Sequence, residues 1–454
     1  MVKKRRLWRV LAVFAGLTLL AGACGDDDDD DGAGGDTTTT GGETTTTAGD
    51  GGGGELQGMK GTTPAPETTD AVTDFQARMD AHDTALDDYA YGPETYDSVV
   101  IIALATEVAG DDGSAHASEI VNVTKGGEQC SSYEECLPLV QAGTDIDYEG
   151  VSGPTDMSGN GEPLLGSYSI LSFGADNRID DELTEFRSAE AGEDFQTMAN
   201  DPVTVQRAGD GVLTIGTLLP ETGNLAFLGP PEIAGAELAI EDINAAGGTL
   251  GQPVVLLPGD SGDTTTDIAT QTVTGHLQQG ADAIVGAASS SVSASVIDQI
   301  TTAGVTMFSP ANTSKQFSDY PDEGLYFRLG PSDILQGQVL AEVVADDGHQ
   351  AVVVLNFDDD YGNGLADDFI ESFESTGGEV LDHTVYDPQT QTFDAEVGTV
   401  TAADPDAVIL IGFEESARLL AALVEQGVGP RDLPAYGVDG NIGNALGENF
   451  EAAS

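Results

Sequence analysis

The sequence predicts an α/β protein of two doubly wound parallel-sheet lobes joined by a hinge. Three observations point there. From residue 213 onward, short apolar runs alternate with longer runs of helical period. Glycines stand where a helix should stop, as at Gly247-Gly248. An extended link, Tyr326-Phe327-Arg328-Leu329, divides the alternation into two series. Strands separated by helices imply parallel pairing with helices on both faces of each sheet.

Val212–Leu219 reads as the first strand. Pro231–Ala246 reads as a helix, with Ile233, Ala236, Ile240 and Ile243 on one face. Strand Pro253–Leu257, helix Asp267–Gln279, strand Ala283–Ala287, helix Ser293–Ala303 and strand Val305–Ser309 complete the first series. After the link come helix Ile334–Ala345, strand Ala351–Leu355, helix Gly364–Thr376 and strand Glu379–Val385. Helix Asp394–Ala402, strand Ala407–Ile411, helix Ser416–Gly427 and a short strand near Ala435 end the second. Ligands of such sheets bind at the carboxyl ends of strands. Two facing sheets therefore place a site in the cleft between lobes.

The N-terminus reads as an address. Lys3, Lys4, Arg5, Arg6 and Arg9 precede an apolar run from Val10 to Ala23, a secretory signal over residues 1–23. Leu20-Ala21-Gly22-Ala23-Cys24 resembles the lipobox of bacterial lipoproteins. That resemblance implies lipidation of Cys24 and anchoring to the cell membrane from outside; two acyl chains are the number that stable anchoring needs. Residues 24–54 follow, rich in Asp, Gly and Thr, with six consecutive Asp at 26–31. Such a stretch buries too little apolar surface to order itself and reads as a self-repelling tether.

Charge excludes some partners. The chain carries a net charge of −64, and five of its 15 basic residues lie in the signal. Nucleic acid and anionic lipid surfaces are poor partners for the remainder. Cys130 and Cys136 lie close together in a compartment that permits oxidation, and are expected to pair. No His stands near them to complete a zinc site. Asp358–Asp360 and Asp156–Glu162 lack the full ligand spacing of a calcium loop, so no metal is expected. No nucleophile–base constellation and no phosphate loop with a following Lys is present, and neither an enzyme nor a cofactor is expected.

Six motifs stand in order: Leu213–Pro220, Gly229–Gly235 with Gly247-Gly248, Gly286–Ser291, Ser309–Thr313, Asp360–Gly364 and Gly437–Gly440. Together they resemble the type I periplasmic binding proteins of the leucine/isoleucine/valine-binding family. The resemblance runs from 213 to 454, where about a third of that fold should still follow. The missing third resembles the opposite end of the chain. Glu55–Thr63, Gly92–Asp97 with the apolar run to Ala109, Tyr148–Pro154 and Gly166–Gly174 match the family's closing segments. The chain thus resembles one binding protein in circularly permuted order. Residues 55–180 supply the family's C-terminal segment, 181–212 a bridging linker, 213–330 the first lobe and 331–454 the second. The competing expectation is two truncated copies, pairing through a swap or joined by fusion. A single permuted monomer requires the region of residue 55 to lie close to the C-terminal residues.

The resemblance implies a binding site for an amino acid of branched-chain type, delivered to an ABC permease in the membrane. It assigns the ligand carboxylate to Ser290 at a helix start, with Ala311 and Thr313 adding contacts, and Ser291 beside them is a further ligand-binding candidate. It assigns the ammonium to Asp439. Tyr361, Phe413, Phe227 with Leu228, and Tyr96 are its candidate walls. Phe413 stands where the family carries a tyrosine. The alternative function is a sensory binding lipoprotein for a small amide or carboxylic acid, not coupled to import.

Overall fold

The apolar runs Ala283–Gly286, Ala351–Phe357 and Ala407–Ile411 become strands buried on both faces along nearly their whole length. The computed structural model describes residues 54–453 except Asp87 and Pro388. The expected signal, the expected lipidation at Cys24 and the expected tether up to residue 53 lie outside these residues. In chain order the strands are β1 (Lys60–Pro64), β2 (Glu128–Cys130), β3 (Ile146–Tyr148), β4 (Leu165–Ser172) and β5 (Glu185–Glu190). Then come β6 (Thr214–Leu218), β7 (Val255–Leu257), β8 (Ala283–Gly286), β9 (Thr306–Ser309) and β10 (Tyr326–Arg328). Last are β11 (Ala351–Phe357), β12 (Glu379–Tyr386), β13 (Ala407–Ile411) and β14 (Ala435–Gly437).

The first lobe holds a five-stranded parallel sheet, β10-β9-β8-β6-β7. The second holds a seven-stranded sheet, β12-β11-β13-β14-β1-β4-β5. It is parallel as far as β1, then closes with the antiparallel strands β4 and β5. β2 and β3 form a separate parallel pair beside the first lobe. The expected disulfide joins Cys130 to Cys136 there.

Both ends of the described chain enter these lobes. β1 lies between β14 and β4, with Lys60 opposite Tyr436 and Gly61 opposite Gly437. Glu55 stands 3.9 Å from Arg431, and Arg178 pairs with Glu448 of the C-terminal helix at 3.2 Å. The Leu56 N–H donates to Asn177 Oδ1 at 3.0 Å and Asn177 Nδ2 donates to Glu451 Oε1 at 3.5 Å, so Asn177 bridges the residues near 55 and the C-terminal helix. In the first lobe, helix Gly92–Ala109 packs on helix Gly229–Ala245. A Cβ on Gly235 would lie 2.2 Å from the Gly92 carbonyl oxygen, so only glycine permits this crossing. The Gly92 helix is buried almost all round through Thr106, which explains its unbroken apolar run.

Four segments cross between the lobes: 329–332, 65–69, 149–164 and 191–213. Segment 149–164 is tied to the end of β10 by a buried ion pair. Arg328 Nε donates to Glu162 Oε2 at 3.0 Å, Nη2 donates to the same oxygen, and Nη1 donates to the carbonyls of Asn312 and Ser314. Burying two charges is tolerable because every one of these hydrogen bonds is made.

Local boundaries differ from expectation in an instructive way. Helices expected from Ser293 and Gly364 begin at Ser290 and Asp360. Ser289 and Asp359 cap them, accepting from the backbone N–H of Val292 and Gly362, so the polar residues before each apolar run are helical too. Within 181–212, expected as a linker, Glu185–Glu190 forms β5 at the edge of the larger sheet. Among the described residues no helix is long and apolar enough to cross a membrane.

Candidate ligand-binding site

The strand ends converge on one hollow between the lobes. From the first lobe, the loop after β8 brings Ala288, Ser289 and Ser290, and the loop after β9 brings Ala311 and Thr313. From the second, Tyr361 stands in the first turn of helix Asp360–Ser375, and Phe413, Asp439 and Gly440 follow β13 and β14. Leu225, Leu228 and Tyr91 close the apolar side.

The two first-lobe loops are stitched together below the surface. Asn312 Nδ2 donates to the carbonyls of Ala287 and Ala288, at 2.9 and 2.8 Å. Ser309 Oγ accepts from the backbone of Ala311 and Asn312. The Ser314 N–H donates to Ser290 Oγ at 3.3 Å. These bonds hold Ser290, at the start of a 12-residue helix, beside Thr313. Hydroxyls and the free N–H groups of a helix start favour an anion.

The opposite pole is Asp439, which is buried. Tyr91 donates to its Oδ2 at 2.7 Å, and Tyr361 and Gln336 donate to its Oδ1 at 2.7 and 2.8 Å. Burial pushes its carboxyl up, and the Tyr361, Tyr91 and Gln336 bonds oppose this. A second buried carboxyl, Asp333, lies close by. Burial and then the Asp439 charge push it well above the usual carboxylate range, against the Thr313 hydroxyl and Arg328. Neither Asp333 oxygen has a hydrogen bond of good geometry. Asp439, with three donors, is therefore the group able to hold negative charge.

An aromatic wall stands between the poles. The rings of Tyr361 and Phe413 lie nearly parallel, 5.5 Å apart, and Phe357 packs 4.4 Å behind Phe413. Glu415 accepts from the Phe413 N–H and from the Tyr386 hydroxyl, fixing this loop. The arrangement suits a zwitterion: donors at one end, a carboxylate at the other, apolar walls between.

Six of the nine candidate residues line the hollow: Ser290, Ala311, Thr313, Tyr361, Phe413 and Asp439. Three do not. The Ser291 hydroxyl turns away and donates to Asp359. Tyr96 donates to Asp242 and packs edge-on against Phe75. Phe227 borders neighbouring hollows with Glu414 and Ala445, while Leu228 takes the wall position. Tyr91 was not among the candidates. Its one visible signal is an aromatic directly before Gly92-Pro93, which opens the helix; the residue itself has φ 58°.

Residues 212–451 match the model of the family described as "Periplasmic binding protein". The chain belongs to the periplasmic binding protein family. Leu/Ile/Val-binding protein homolog 3 of Brucella melitensis is 30% identical to this periplasmic binding protein over 253 residues, covering 53% of this chain and 67% of that relative. Leu/Ile/Val-binding protein BraC3 of Rhizobium johnstonii is 31% identical over 214 residues, covering 46% and 57%. The chain thus spans between 57% and 67% of these relatives' own lengths. A solved structure of LivJ from Streptococcus pneumoniae, a branched-chain amino acid transporter substrate binding protein in complex with isoleucine, is 28% identical. It covers 53% of this chain and 68% of its own, with a TM-score of 0.48. Proteins of this family bind solutes outside the cytoplasm.

Proposed function

We propose that this protein is a solute-binding lipoprotein of an ABC importer that captures an amino acid with an aliphatic side chain between its lobes. The carrying observation is Asp439, buried and triply hydrogen-bonded, facing Ser290 and Thr313 across an apolar hollow. An α-amino acid offers its ammonium to Asp439 and its carboxylate to the Ser290 helix start. Leu225, Leu228, Tyr91 and Phe413 leave the side chain an apolar wall with a phenol edge. A ligand without the amine leaves Asp439 with no charged partner, which gives selectivity.

The lipid anchor at Cys24, delivery to a permease and the permuted order belong to the same proposal. The permuted single unit, rather than two truncated copies, is supported by β1 lying inside the second lobe's sheet and by Tyr91 reaching Asp439. Calorimetry on the full chain with leucine, isoleucine, valine and the deaminated analogue of leucine tests the ligand. Binding of the three amino acids, but not of the analogue, is expected. Binding of the analogue with equal strength overturns the role of Asp439.

A further inference from the structure

We infer that Ser291 and Lys315 are positioning residues that latch the second lobe shut over the site through Asp359 and Asp368. Neither touches the hollow. This rests on the proposed capture function only in supposing that closure serves a ligand.

Ser291 lies in the first lobe, on helix Ser290–Thr301. Its Oγ donates across the cleft to Asp359 Oδ2 at 2.8 Å. Lys315, in the first-lobe loop after β9, pairs with Asp368 Oδ1 at 2.7 Å. Both acceptors belong to one element of the second lobe: Asp359 caps helix Asp360–Ser375, and Asp368 lies within it. With a rise of 1.5 Å per residue, the two points stand about 13 Å apart along the helix. Two contacts so spaced resist both hinge opening and twist, which one contact does not.

The same helix carries the ligand wall. Asp359 Oδ1 accepts from the Gly362 N–H at 2.7 Å, while Tyr361, between them in sequence, donates to Asp439. The helix turn that reaches the site is thus the turn that Ser291 holds from the opposite lobe. A ligand that reorders the Tyr361–Asp439 bond acts directly on the latch. Asp368 Oδ2 is buried without a partner, so losing Lys315 leaves an uncompensated carboxyl in the closed arrangement and favours opening.

The test uses the full chain with spin labels carried by non-natural amino acids at the exposed positions Thr302 and Glu374, one on each lobe. Their separation is measured without ligand, and L-leucine dissociation by stopped flow. In Ser291→Ala and Lys315→Met the distance distribution should extend to longer separations. Leucine should leave about three- to tenfold faster, with little change in association rate. Ser291→Thr and Lys315→Arg should restore both readouts. Ser295→Ala, whose hydroxyl bonds only its own helix at Val292, should change neither. An unchanged separation in the Ser291→Ala/Lys315→Met double variant overturns the latch, even where leucine binds. A lengthened separation in a chain that binds no leucine supports the latch and counts against the ligand.

Discussion

Tyr91 and Asp439, 348 residues apart in sequence, share a 2.7 Å hydrogen bond between opposite lobes at the centre of the site. Tyr91 opens a first-lobe helix, and Asp439 follows a second-lobe strand. Burial and then the Asp439 charge hold the Tyr91 phenol well above its usual range, so it remains a donor. Tyr91→Phe removes that donor while keeping the ring. Amino-acid affinity should fall by about 1 kcal/mol, read by calorimetry. Unchanged affinity would mean that Tyr91 supplies area alone.

Asp439→Asn keeps the shape and removes the charge. Affinity for leucine should fall by about 2–4 kcal/mol, because a buried ammonium loses its charged partner. Affinity for deaminated leucine should change far less. Equal losses for both ligands would show that the variant had disturbed the pocket rather than the ion pair.

Stability should depend on pH through Glu94, which is buried one turn beyond Tyr91. Burial foremost, against its own backbone bond, pushes its carboxyl up to about 8, and Asp97 adds to the rise. Glu232, on the helix packed against it, is buried with neither oxygen partnered and is also pushed well above its range. The folded chain therefore holds protons that the unfolded chain releases. The contribution is complete below the ordinary Glu value and is lost as pH rises toward about 8. Urea midpoints should fall over that window, and Glu94→Gln should flatten the fall.

Breaking the Arg328–Glu162 pair should cost far more than replacing it. Glu162→Gln leaves a buried guanidinium without its charge partner and should destabilise by about 3–5 kcal/mol. Arg328→Met with Glu162→Leu should lose less than the single change. Chemical denaturation of the three proteins checks the order.

A chain of residues 213–454 alone should not fold. It lacks β1 from the middle of the larger sheet and the Gly92 helix from the first-lobe core. Far-UV circular dichroism should show no cooperative melt. A sharp transition would support two self-sufficient copies rather than one permuted unit.

The legible parts of the fold were those where burial writes a pattern. β8, β11 and β13 are buried along nearly their whole length, so their apolar runs were plain in the sequence. β5 is an edge strand of sequence Glu-Phe-Arg-Ser-Ala-Glu, with most positions exposed, and its polar composition reads as linker. At the site, Ser290 and Asp439 follow strand ends and were findable there. Ser291 failed because one residue of helix turns a side chain by about 100°. Tyr91 failed because its left-handed backbone and its distant partner leave no local periodicity.

The place of β1 also sets the order in which this protein can be completed. Among the described residues every other strand lies between β1 and its parallel neighbour β14 in the chain, so β1 is made well before its partner. Until Ala435–Gly437 has emerged, one side of β1 has no strand to bind and the largest sheet stays divided. Topologies that join distant ends fold late and slowly. The larger lobe therefore cannot be sealed by the strands around β1 alone; its closure waits on a strand from the far side of the other lobe's sequence.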